Sequence, residues 1–107
     1  VLRGLGKLKE AEFSYRKAIQ INPDFAMAYY NLGNVFSDLG NLQEAESSYL
    51  KAIQINPKYT SAYFNLSALA NTIEEAEERI KLCLKINKNH LKAKLILSAL
   101  KFHNGDQ

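Results

Sequence analysis

Two histidines, one cysteine and a run of glutamates are the side chains in this sequence whose chemistry could go beyond packing. His90 and His103 lie thirteen residues apart and form no paired metal-ligand motif. Cys83 would act as a nucleophile only beside a base or a helix N-terminus. It falls late in a predicted helix, at a small-residue packing position, so a buried and inert thiol is expected. Glu74, Glu75, Glu77 and Glu78 open that same helix, where carboxylates offset the macrodipole and Arg79 and Lys81 are near enough to pair. There is no glycine-rich phosphate loop. The expectation is a chain without catalytic residues, metal or cofactor, and therefore not an enzyme.

The elements that carry these residues are short helices. The 107 residues leave room for about six of them in one domain. A hydrophobic content of 47% with 23% charged residues is ordinary for a globular domain. No apolar run approaches the ~20 residues needed to span a bilayer, and no secretory leader is read at the start. A lone cysteine makes no internal disulfide, which fits a reducing compartment, so a cytoplasmic location is expected. Residues 1–80 carry eight basic and ten acidic side chains, whereas 81–107 carry six lysines against Asp106 alone. Without an arginine cluster or an interleaved aromatic platform, that basic end reads as a solvated face rather than a nucleic-acid site.

Shifting the sequence by 34 residues exposes a repeat. Between 6–24 and 40–58, fourteen of nineteen positions are identical, and Ile21-Asn22-Pro23 returns as Ile55-Asn56-Pro57. Each unit reads as two helices. Ala26, Tyr29, Leu32, Gly33 and Phe36 recur at helical spacing, and Gly40 ends the run by taking a left-handed conformation. Asn41 follows as the expected N-cap, with Glu44 near a capping-box position. Leu42, Ala45, Tyr49, Ala52 and Ile53 form the second stripe, and Pro57 stops it.

The segment from Ala26 to Pro57 resembles the tetratricopeptide repeat. Tyr29, Leu32-Gly33, Phe36, Ala45, Tyr49, Ala52 and Pro57 carry that resemblance. It implies an all-α fold, an α-α superhelix of antiparallel helix pairs. The units are 1–24 (a truncated repeat), 25–58 (complete), 59–89 (shortened) and 90–107 (a capping helix or the start of a fourth repeat). In the first unit Val1 to Leu5 align with the tail of a first helix. The natural protein is therefore expected to extend upstream, and an intact helix is expected over about Leu8 to Ile21. In the third unit Ser67 replaces the glycine, the turn loses three residues so that Asn71-Thr72 must cap, Cys83 replaces an alanine and Lys88 the proline. In the last helix, about Leu91 to Asn104, Lys94 and Lys101 stand where Tyr29 and Phe36 do, and are expected to face solvent.

In such a stack the first helices line a concave groove, and their outward residues are the candidate binding surface. These are Met27, Tyr30, Asn31, Asn34, Ser37 and Asp38 in the complete unit, and Ser61, Phe64, Asn65, Ala68, Asn71 and Thr72 in the next. The last helix adds Lys92, Leu95, Ile96, Ala99, Phe102 and His103. Asn31 and Asn65 are equivalent, and a carboxamide both donates to and accepts from a peptide main chain. They resemble the asparagine ladder of the O-linked N-acetylglucosamine transferase repeats. Tyr30, Phe64 and Leu95 form a matching apolar row. The carboxylate-clamp members of the family use lysine and arginine here. Only Asn34 and Lys92 match them, so chaperone-tail binding is not the leading expectation.

A non-catalytic scaffold binding a protein or peptide is the first reading. Self-association through the surface around Phe13 and Tyr15, or substrate recruitment for a catalytic domain elsewhere in a longer protein, are the alternatives. Neither nucleic acid nor membrane is expected as a partner.

Overall fold

The computed structural model describes residues 2–103, with side chains from 4 to 102. Among the described residues there are six helices and no strand: α1 Leu2–Ile21, α2 Ala26–Asp38, α3 Leu42–Ile55, α4 Thr60–Ser67, α5 Ile73–Ile86 and α6 Leu91–His103. They divide into two compact units, Val1–Pro57 and Lys58–Gln107. In the first, α2 packs against both α1 and α3; in the second, α5 packs against both α4 and α6.

Unit 1 is organised around its glycines. Gly40 has φ +83°, the only positive φ among the described residues. The Asn41 N–H donates to the Phe36 carbonyl at 2.8 Å, and the Gly40 N–H to that of Ser37 at 3.0 Å. These two bonds form a Schellman closure, which satisfies carbonyls the helix end would otherwise orphan. Asn41 occupies the N-cap of α3, but its side chain makes no capping bond, contrary to the expected near-capping box.

Gly6 behaves differently. The expected break there is absent, and α1 runs as one helix from Leu2 through Gly4 and Gly6 rather than starting near Leu8. A Cβ at Gly6 would meet nothing within 4 Å, so no close contact demands glycine there. Continued helical hydrogen bonding then outweighs glycine's cost of about 1 kcal/mol relative to alanine. Gly33 is required by contact. A Cβ there would lie 2.6 Å from Cε1 of Tyr49, whose ring is buried.

Unit 2 reaches a similar hairpin with a shorter turn. Helix α4 has only eight residues. Thr72 caps α5 by accepting from the Glu75 N–H at 3.1 Å. Arg79 donates to the Leu66 carbonyl at 2.8 Å, which also accepts from the Leu69 N–H at 3.0 Å, and pairs with Glu75, tying α5 to the end of α4. The turns before α2 and α6 are equivalent despite the exchange of Pro23 for Lys88. Asn22 and Asn87 each accept from the N–H two residues on at 3.2 Å, and each carbonyl takes the next N–H at 3.1 Å. The asparagine, through its Asx-type turn, holds this bend with or without proline.

Ile80, Cys83 and Ala93 form the core of unit 2, with Tyr63, Phe64, Leu84, Leu97 and Leu100 packed around them. Burial pushes the Cys83 thiol above its ordinary range. Lys94 and Lys101 are exposed.

Two predictions follow the packing. Gly33→Ala should destabilise the chain by about 1–3 kcal/mol through overpacking, while Gly6→Ala should stabilise it by about 1 kcal/mol through helix propensity; urea melts of both variants measure this. Cys83 should react with a thiol reagent only on unfolding. Its neutral folded thiol contributes stability that is present below the unfolded pKa of about 8.5 and lost as pH rises towards the raised folded value. Rapid labelling of the native protein at neutral pH would contradict this.

Candidate interaction surface

The outward residues of α2 split into two groups. Tyr49, rising from α3, lies over the helix. Its ring centroid is 5.9 Å from that of Tyr30, Gly33 is beneath it, and its hydroxyl donates to Asn34 Oδ1 at 2.5 Å. Tyr30 and Asn34 are therefore held by the second helix of their own repeat, each half-buried. Asn31 is half-buried too, while Met27 and Asp38 are exposed near the two ends of the helix. Ser37 is half-buried.

Unit 2 treats its equivalents the same way. The Phe64 ring stacks on His90 with centroids 4.8 Å apart and 23° between planes, and it packs against the Ile80, Cys83 and Ala93 core. His90 also caps α6, its Nδ1 accepting from the Ala93 N–H at 3.2 Å. Asn65 is half-buried next to Phe64, and Ser61 and Ala68 are exposed near the two ends of α4. Asn71 and Thr72 belong to the turn into α5, where Thr72 serves as its cap. On α6, Lys92, Leu95, Ile96, Ala99 and Phe102 are exposed; the side chain of His103 lies outside the described residues. The apolar row expected from Tyr30, Phe64 and Leu95 is thus two rings engaged within their hairpins and one exposed leucine.

The remaining chemistry is structural. The glutamate run contributes Glu75 to Arg79. Cys83 is buried, with Sγ 3.9 Å from the Thr60 carbonyl. Among the described residues no group of three His, Cys, Asp or Glu side chains is placed to hold a metal, and no helix is long and apolar enough to cross a membrane. Sequence reasoning missed the Tyr49–Asn34 bond and the Arg79–Leu66 contact. Both join residues more than a dozen positions apart, and no local pattern encodes either.

The geometry agrees with known proteins. The tetratricopeptide repeat model matches residues 26–59, and a TPR repeat model matches residues 1–40. No curated protein matches the chain significantly. Among solved structures, the first TPR of Spaghetti bound to the HSP90 peptide SRMEEVD is 25% identical, with a TM-score of 0.83, over 94% of this chain and 82% of that one. The Arabidopsis OM64 TPR domain is 26% identical, with a TM-score of 0.83, over 92% and 84%. The Yersinia enterocolitica chaperone SycD, in complex with a peptide of the translocator YopD, shares the fold at 17% identity and a TM-score of 0.84, over 92% and 83%. With its helix pairs, its repeat glycines and both matching repeat models, the chain belongs to the tetratricopeptide repeat family and has that family's all-α superhelical fold.

Proposed function

We propose that this chain is a non-catalytic protein-interaction scaffold in which each unit holds peptide on the outward face of a first helix, α2 in the first unit and α4 in the second. The observation that carries the reading is the placement of two equivalent asparagines. Asn31 follows Tyr30, which Tyr49 holds, and Asn65 follows Phe64, which His90 holds. An anchored aromatic fixes the backbone beside it, so each carboxamide is presented with little ordering cost left to meet on binding. Such groups suit main-chain N–H and C=O groups whatever the side chains of the ligand. Met27 and Ser61 flank them as exposed contacts.

Two of the structural relatives support peptide binding by this fold: the Spaghetti domain holds an HSP90 peptide and SycD a translocator peptide. The acidic peptide SRMEEVD is a poor match to this surface. Neither α2 nor α4 contains a lysine or an arginine. A ligand gripped by its main chain, with no demand for clustered carboxylates, fits better.

Self-association through α1 is a second reading, favoured by the exposure of Phe13 (64%) and Ile21 (83%). Sedimentation at high protein concentration should show a dimer if this surface is used, and a strict monomer removes it.

A peptide selected from a random display library on this chain tests the first reading. Replacing both Asn31 and Asn65 with alanine should weaken it about 10- to 100-fold, the equivalent of two to four net hydrogen bonds. Unchanged affinity in the double variant would sink the proposal.

A further inference from the structure

His90 does at the entrance to α6 what a main-chain carbonyl does at the two equivalent helix entrances. The chain enters α2 at Phe25 and α4 at Tyr59, and neither side chain caps its helix. There the N–H of the third residue on, Ala28 or Ala62, donates to the Phe25 or Tyr59 carbonyl, each at 3.1 Å. In α6 the matching N–H, that of Ala93, donates to His90 Nδ1 at 3.2 Å, while the His90 carbonyl takes the Lys94 N–H at 3.0 Å. A position held elsewhere by an inert aromatic ring has become a titratable acceptor.

This contact admits one protonation state. A ring nitrogen that accepts carries no proton, so His90 is neutral with its hydrogen on Nε2, and the next proton goes to Nδ1. That proton turns the acceptor into a donor facing the Ala93 N–H, and it puts a cation at the positive end of the α6 dipole. Ala93 is fully buried, so water does not reach its N–H while α6 stays in place.

No carboxylate stands ready for the cation within unit 2. From Lys85 to Lys94 every charged side chain is an exposed lysine. Helix α4 carries no charge, with Tyr63 its one titratable group, and Glu74 to Glu78 lie at the opposite end of α5, where Glu75 pairs with Arg79. The Phe64 ring, 4.8 Å away, does attract an imidazolium. That attraction holds the ring to α4, whereas the bond that is lost is to α6.

Ala93 closes the core of unit 2 together with Ile80 and Cys83, and all three are fully buried. We propose that His90 is a proton-operated latch. Neutral, it ties the first turn of α6 to the hairpin; protonated, it releases that turn and uncovers Cys83. Unit 1 contains no histidine and does not respond. The latch is independent of peptide binding.

Labelling of Cys83 by dithiodipyridine in the 107-residue chain measures the release, each rate being divided by that of the urea-unfolded chain at the same pH. Lowering the pH from about 7.5 to about 5, the span in which histidine takes up its proton, should raise the relative rate about five- to tenfold. Circular dichroism should show the remaining helix content kept. His90→Phe, which copies Phe25 and leaves the Ala93 N–H to the carbonyl, should hold the rate within about twofold over the same span. His90→Tyr, after Tyr59, does the same service if that variant fails to fold. His103→Gln should leave the response intact. Equal protection of Cys83 at both pH values would overturn the proposal, since the Ala93 N–H would then have passed to the His90 carbonyl as that of Ala28 does to Phe25. So would an equal acid response in His90→Phe, which assigns the opening to carboxylates such as Glu75, or loss of the response in His103→Gln.

Discussion

A tyrosine ring resting on glycine backbone sets the geometry of the complete repeat. Because Gly33 has no Cβ, Tyr49 approaches α2 closely enough to pack on Tyr30 and to donate to Asn34. Burying that large aromatic brings α3 down onto α2, with Ala45 and Ala52 fully buried along the same helix. The arrangement also uses up part of the outward surface of α2, which is why only some of its outward residues remain candidates.

Unit 2 meets the same constraint with different parts. Serine and isoleucine replace glycine and tyrosine, Thr72 caps where a Schellman turn stood, and Arg79 covers the Leu66 carbonyl. Each exchange serves the same end: the start of α5 is capped and the contact between the two helices is filled by buried side chains. A hairpin can therefore lose three residues of turn and still close. His90 is the clearest case of one residue meeting two needs, capping α6 while stacking on Phe64.

Function in this fold lies in what the hairpin contacts leave over. Aromatics drawn into the helix pairs hold their asparagine neighbours, and on α6 Leu91, Leu95 and Phe102 are exposed. Neither feature resembles a catalytic site.

The 34-residue period, the glycines at 33 and 40 and the small alanines are local patterns, and from them the sequence alone determined the fold class, though not where α1 starts or where α4 ends. It was less informative where a choice depended on neighbours. Gly6 and Gly40 occupy the same place in the repeat, yet Gly40 turns with a positive φ while Gly6 lies inside α1. The outward positions could be counted from periodicity, but whether Tyr30, Asn34 and Phe64 faced a ligand or a neighbour depended on side chains fifteen or more residues away. Tertiary structure decided that division, since contact energy depends on distance in space and the repeat pattern records only distance along the chain.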